Sequence, residues 1–215
     1  MKKYQTVIFD LDGTLLNTLD DLADSVNHIL CEFGYPMHSK YCIRRFLGNG
    51  IECLMKRSLP PDVNAAEGKK AFLAFKAYYT SHCQVKTKIY DGIQELLESL
   101  VARGYKVAIV SNKNYAAVQE LNKIHFAQYV QVAIGEKPGI RKKPAPDTVL
   151  AALKILGCPK EEAVYVGDSE VDKATADNSG MDCILVSWGF RDKPELEALK
   201  AKYLVDEPKE ILQLV

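Results

Sequence analysis

Two carboxylates sit one residue apart near the start of this 215-residue chain, in "VIFDLDGTLLNT", where Asp10 and Asp12 close a short apolar run and Gly13-Thr14 follows. Three further clusters have similar chemistry. Ser111-Asn112-Lys113 follows the apolar run "KVAIV", and Gly167-Asp168-Ser169 follows "AVYV", with Asp172 four residues past Asp168. Arg141-Lys142-Lys143-Pro144 precedes a helical pattern. Singly, each has an ordinary reading as a turn, a helix cap or a solvated loop. Together they place three carboxylates, a hydroxyl and a lysine on one edge of one sheet. Carboxylates that face each other repel unless a cation lies among them, and such oxygen ligands suit Mg²⁺. A hydroxyl, a lysine and backbone N–H groups suit phosphate oxygens. One aspartate can attack phosphorus, and a second just beyond it can move the proton of the leaving oxygen. The chemistry this implies is phosphoryl transfer, which needs mainly positioning and charge neutralisation.

The elements that must position these groups are legible as alternating patterns. Strand-like runs cover Thr6–Phe9, Lys106–Val110, Val130–Ile134, Ala163–Val166, Cys183–Val186 and Tyr203–Val205. Most are continuously apolar, as strands buried on both faces of a parallel sheet are. Helices are expected at Tyr115–Phe126 and at Asp147–Leu156, where Val149, Leu150, Leu153 and Leu156 recur before Gly157. The expected class is α/β: a Rossmann-like three-layer α/β/α core around a parallel sheet, where ligands bind at the carboxyl ends of the strands.

One region breaks the alternation. From Thr18 to about Cys83 the pattern is helical only. Thr18 and Asp21 resemble a capping box. Leu19, Leu22, Ala23, Val26, Ile29, Leu30 and Phe33 then form an apolar stripe that Gly34 ends. Ser39 can cap a second helix, Ile51–Leu59 reads as a third, ended by Pro60-Pro61, and Phe72, Phe75 and Tyr79 share a face of a fourth. The expectation is a core made of 1–15 and 85–215, interrupted by a helical domain at 16–84.

Composition narrows the class of partners. Lys+Arg and Asp+Glu both number 28, so no global basic field draws in nucleic acid or an anionic membrane surface. The apolar run near the N-terminus is too short for a signal-peptide core, and no later run approaches a membrane span. Six cysteines form no CxxC pair and no zinc-like cluster with the four scattered histidines, so reduced thiols in a cytoplasmic protein are expected.

With these motifs in order along the chain, the sequence resembles the haloacid dehalogenase superfamily of phosphatases. "DLDGT", "VSN", Lys143 with Pro144, and "GDSEVD" look like its four motifs, and the helical insert looks like a C1-type cap. Within the superfamily, "DGTLLNTLDDL", "LGNG", "SNK" and "KPAPD" look most like phosphoglycolate phosphatases. The resemblance implies that Asp10 is the nucleophile and a Mg²⁺ ligand. It makes Asp12 the general acid/base, with its backbone carbonyl on the metal, and Asp168 a further ligand. Ser111 and Lys143 would hold the transferring phosphoryl group with Asn112 beside them, and Gly13 and Thr14 would shape the loop near it. Asp172, Ser169 and Lys113 would act in support. Asn17 stands where many relatives have Asp, at the start of the cap linker, where Asn caps a helix about as well.

A carboxylate at position 12 favours ester hydrolysis, because an alcohol leaving group needs a proton and a halide does not. A lid over the site would favour small soluble phosphates. The turn Gly48-Asn49-Gly50 is the substrate-facing candidate. Arg45 either pairs with a substrate carboxylate, as 2-phosphoglycolate would require, or lies on a solvated helix face. The leading expectation is a Mg²⁺-dependent phosphatase of a small phosphorylated metabolite, as monomer or homodimer, with no nucleic-acid or membrane partner. The alternatives are a pyrophosphatase, a nucleotide or sugar-phosphate phosphatase, a β-phosphoglucomutase-like phosphotransferase and a non-catalytic phosphate-binding regulator.

Overall fold

The computed structural model describes residues 3–215; Met1 and Lys2, which open the segment expected in the core, lie outside the described residues. In chain order the elements are β1 (Thr6–Phe9), β2 (Leu16–Asn17), α1 (Leu19–Glu32), α2 (Lys40–Phe46), α3 (Ile51–Ser58), α4 (Ala65–His82), β3 (Lys88–Ile89), α5 (Ile93–Ala102) and β4 (Lys106–Asn114). They continue with α6 (Tyr115–Leu121), β5 (Val132–Glu136), α7 (Asp147–Leu156), β6 (Ala163–Gly167), α8 (Glu170–Ser179), β7 (Asp182–Val186), α9 (Lys193–Ala198), β8 (Tyr203–Val205) and α10 (Ile211–Leu214). The chain forms two compact units, one comprising the residues up to Leu16 together with Ile89–Val215, the other Asn17–Lys88. Among the described residues no helix is long and apolar enough to cross a membrane.

The first unit is an α/β fold around a six-stranded sheet of order β5-β4-β1-β6-β7-β8, in which every pair is parallel. Successive side chains of a strand point to opposite faces, and here both faces are apolar. Val7, Phe9, Val107, Ile109, Val164 and Val166 pack under α5, α6 and α10. Ile8, Ala108, Val110, Tyr165, Cys183 and Leu185 pack under α7, α8 and α9. That double burial is why the strands read as continuous apolar runs and why the unit has three layers. It also leaves the carboxyl ends of β1, β4, β6 and β7 side by side.

The second unit holds α1 to α4. Val26, Ile29, Leu30, Ile43, Leu54, Ala71 and Phe75 are buried in it. The ring of His28 stacks on Tyr78. Ser39 caps α2 by accepting the N–H of Cys42 at 3.2 Å.

Four expectations need correction. The Thr18 hydroxyl does not cap α1; it is buried with no hydrogen-bond partner among the described residues, and Asn17 accepts the Leu19 N–H instead, at 3.3 Å. Asp21, expected to complete that box, is buried and accepts the N–H groups of Lys86 and Thr87, each at 2.8 Å. Leu150 is 45% exposed, because the helical period puts Val149, Ala152, Leu153 and Leu156 on the buried stripe and turns 150 away. The helix expected over Tyr115–Phe126 is α-helical only to Leu121, after which Asn122–Phe126 forms a π-helical turn. Strand limits also shift. β4 continues through the polar residues Ser111–Asn114, because Asn114 pairs with Glu136 after an irregularity in register, and β5 begins at Val132. The two-residue strands β2 and β3, paired with each other, and helix α5 were not read from the sequence.

Candidate active site

The loop after β1 is a tight, closed turn. Asp10 donates its N–H to the carbonyl of Val166 on β6 at 2.9 Å, which continues the sheet by one bond. The carbonyl of Leu11 accepts the N–H groups of Leu15 and Leu16 at 3.0 and 2.9 Å, and Gly13 donates to Leu16 at 2.8 Å. Leu11 is fully buried in the apolar core, so the chain turns between Asp10 and Asp12 and the two carboxylates face different neighbours. Gly13 has φ +89°, and a Cβ there would lie 2.4 Å from Oδ2 of Asp168. Only glycine combines that backbone with that approach.

Lys143 lies at the centre. Its Nζ donates to Asp10 Oδ1 at 2.7 Å, to Asp172 Oδ1 at 2.8 Å and to the Tyr165 hydroxyl at 3.0 Å. Its carbonyl accepts Nδ2 of Asn112 at 3.1 Å, which ties the Lys143 loop to the end of β4. The second oxygen of Asp172 accepts the Ser169 hydroxyl at 2.6 Å and the Asp168 N–H at 3.2 Å. Asp168 Oδ2 in turn accepts the N–H of Phe190 at 2.6 Å. On the other side, Lys113 Nζ donates to Asp12 Oδ1 at 2.9 Å, and the Lys113 N–H donates to Ser111 Oγ at 3.1 Å.

Electrostatics follow from this burial. Asp10, Asp168 and Asp172 bring carboxylate oxygens within 4.8 Å of one another. Burial, with the charges of Asp172 and Asp12, pushes Asp10 up to about 7 against the pull of Lys143. Burial and the neighbouring carboxylates push Asp168 well above the usual range. Burial lowers Lys143, but Asp10 and Asp172 outweigh it and hold the ammonium well above its ordinary value. One cation against three buried carboxylates leaves excess negative charge, which a divalent cation would offset. The donor set is all oxygen, as a hard cation requires. Asp172 already has both oxygens committed to Lys143, Tyr165, Ser169 and the Asp168 N–H, which leaves Asp10 and Asp168 as the better-placed ligands.

The structure thus links Asp10, Asp12, Ser111, Asn112, Lys113, Lys143, Asp168, Ser169 and Asp172 into one bonded neighbourhood, with Gly13 against Asp168. Thr14 is fully buried and offers its carbonyl to Nε1 of Trp188 at 3.0 Å. The side chain of Asp12 is not in the acidic trio; it faces Lys113. Arg45, Gly48, Asn49 and Gly50 belong to the other unit, with Arg45 exposed near the end of α2 and the turn just before α3.

Sequence reasoning missed Tyr165 and the loop Trp188-Gly189-Phe190. In the sequence Tyr165 is one residue of the apolar run "AVYV", and nothing there marks its hydroxyl. The loop follows β7, whose carboxyl end opens on the same sheet edge, so the rule that pointed to β1, β4 and β6 reaches it as well. A Cβ on Gly189 would lie 2.4 Å from both Asp168 Oδ2 and the Gly13 carbonyl.

A parallel sheet that gathers a lysine and acidic side chains at its strand ends is the arrangement of an α/β enzyme suited to handling phosphoryl groups. The chain belongs to the haloacid dehalogenase-like hydrolases, whose family profile matches residues 7–186. It is similar to the phosphoglycolate phosphatase of Pseudomonas putida, 30% identical over 213 residues that cover 96% of this chain and 78% of the relative. The phosphoglycolate phosphatase of Cereibacter sphaeroides is 33% identical over 192 residues, 87% of each chain. A crystal structure of a candidate phosphoglycolate phosphatase from Lactobacillus delbrueckii subsp. bulgaricus superposes with a TM-score of 0.94 at 37% identity, covering 99% of this chain and 98% of that one. The protein is a phosphatase of the phosphoglycolate phosphatase-like group.

Proposed function

We propose that this phosphatase hydrolyses a small phosphate monoester, 2-phosphoglycolate foremost, with Mg²⁺ as cofactor and through a phosphorylated Asp10, in the cytoplasm. The observation that carries the reading is the contact of Asp10, at the end of β1, with the buried ammonium of Lys143. Asp10 and Asp168 would hold the cation together with the backbone carbonyl of Asp12. Bound Mg²⁺ would supply charge neutralisation for the phosphoryl oxygens. The carboxylate of Asp10 attacks phosphorus, the P–O bond to the alcohol breaks, and Asp12 gives the leaving oxygen its proton. Asp12 then takes a proton from water as that water attacks the Asp10 phosphate and the bond from phosphorus to Asp10 breaks, which releases inorganic phosphate and restores the Asp10 carboxylate and the protonated Asp12. Lys113, which donates to Asp12 Oδ1, fixes the orientation of the Asp12 side chain. Lys143, Ser111 and Asn112 hold the phosphoryl group. In the helical unit, Arg45 and the turn Gly48-Asn49-Gly50 are the candidate residues for substrate specificity.

The test is release of phosphate from a panel of esters that includes 2-phosphoglycolate, sugar phosphates, nucleotides and pyrophosphate. Asp10→Asn and chelator each abolish release. Substantial turnover by Asp10→Asn sinks the nucleophile assignment, and a higher kcat/KM on another ester reassigns the substrate.

A further inference from the structure

Tyr165 is fully buried in the layer beneath the site, on β6, and the proposed chemistry gives it no part. An ammonium has three N–H donors. Those of Lys143 reach Asp10, Asp172 and the Tyr165 oxygen, so all three are committed. The Tyr165 O–H has its own acceptors in Asp172 Oδ1 at 3.2 Å and the Val110 carbonyl at 3.4 Å. A phosphoryl oxygen can gain Lys143 only by sharing or replacing one of the three bonds. The three acceptors differ in access: the side chain of Asp10 is 11% exposed and that of Asp172 is 1% exposed. Two N–H groups are therefore held from the closed side, and tetrahedral geometry aims the third at the open side, toward Asp10.

We propose that Tyr165 is a positioning residue that orients Lys143 for phosphate, its hydroxyl and the Asp172 carboxylate gripping the ammonium from behind so that the remaining N–H faces the incoming phosphoryl oxygen. This rests on the reading that Lys143 binds the phosphoryl group. Without the hydroxyl, one N–H of a buried cation loses its acceptor, and the ammonium turns to share the remaining carboxylates.

Tyr165→Phe keeps the ring and removes only the grip. Calorimetric binding of inorganic phosphate to the Mg²⁺-loaded protein should weaken about tenfold, the size expected for one hydrogen bond to a charged group. The KM for the ester should rise by a similar factor, with a smaller change in kcat. Leu153→Ala, a core truncation in the same layer, controls for lost stability and should leave phosphate affinity at the wild-type value. Wild-type phosphate affinity in Tyr165→Phe overturns the inference, and so does an equal loss in Leu153→Ala or a wild-type protein that does not bind inorganic phosphate. Asp10→Asn separates the two levels. If it is inactive while Tyr165→Phe binds phosphate normally, only the role of Tyr165 fails; if it remains active, the functional reading beneath it fails.

Discussion

Replacing Gly13 by alanine should damage stability and the proposed cation site together. At φ +89° an L-residue costs about 1–2 kcal/mol relative to glycine. The added Cβ would lie 2.4 Å from Asp168 Oδ2, 2.8 Å from its Cγ and 2.9 Å from Phe190 Cδ2. Ordinary contact requires the carboxylate to withdraw by about 1 Å. That movement breaks its 2.6 Å bond with the Phe190 N–H. A hydrogen bond to a charged group contributes about 1.5–3 kcal/mol. The two effects sum to about 2.5–5 kcal/mol, or a fall in melting temperature of roughly 5–20 °C for a protein of this size. Urea and thermal unfolding of the variant measure the loss, and Mg²⁺ titration of its activity reads the displaced Asp168. Gly189→Ala approaches the same carboxylate from the other side and should behave alike. A Gly13→Ala protein with unchanged melting temperature and unchanged Mg²⁺ dependence would refute the reasoning.

Three further perturbations probe other parts of the chain. Asp21→Asn replaces an acceptor of two N–H groups by an amide that can accept only one without turning its NH₂ toward a donor, so stability should fall by about 1.5–3 kcal/mol and proteolysis near Lys86–Thr87 should accelerate. Limited digestion at the wild-type rate would count against it. Burial works to raise Asp182, but hydrogen bonds from Lys202, Lys3 and Tyr4 outweigh it and hold its carboxyl well below the usual range. A depressed folded pKa means that this stability is present above the unfolded value near pH 4 and is lost as pH falls below it. Asp182→Asn should therefore be less stable than wild type at pH 7, with the gap narrowing between about pH 4 and pH 2; a gap that stays constant in acid unfolding contradicts the assignment. Trp188→Phe removes the donor to the Thr14 carbonyl and should cost about 1 kcal/mol in urea unfolding and raise KM, whereas an unchanged KM would detach that indole from the loop it bonds.

The elements of the sheet were legible because their strands are buried on both faces, and only uninterrupted apolar runs such as Val7-Ile8-Phe9 satisfy that burial. The rule that ligands gather at strand carboxyl ends then sufficed to collect Asp10, Asp12, Ser111, Lys143 and Asp168 from four separate places in the chain. What it could not supply were choices between partners of equal chemistry. Asp21 has the spacing of a capping residue, yet its carboxylate takes the N–H groups of Lys86 and Thr87, 65 and 66 residues away. Helix capping is a local bond of modest strength, and two backbone donors brought near by the fold outcompete it. Leu150 shows the same limit, since a run of leucines fixes a helix more firmly than it fixes which face is inside.

Within the site the division is similar. Residue types and order along the chain determine which chemistry is possible, because a carboxylate, an ammonium and a hydroxyl have the same donors and acceptors wherever they stand. Tertiary structure decides how those donors are shared. It pairs Lys113 with Asp12 and gives Lys143 to Asp10 and Asp172, although both lysines follow or precede polar loops of similar look. It also brings in Tyr165 and the Trp188-Gly189-Phe190 loop, whose apolar character conceals a hydroxyl, an indole N–H and a backbone N–H aimed at the site. A sequence displays the groups, but desolvation sets the strength of each contact, and desolvation exists only once the layers have closed around it.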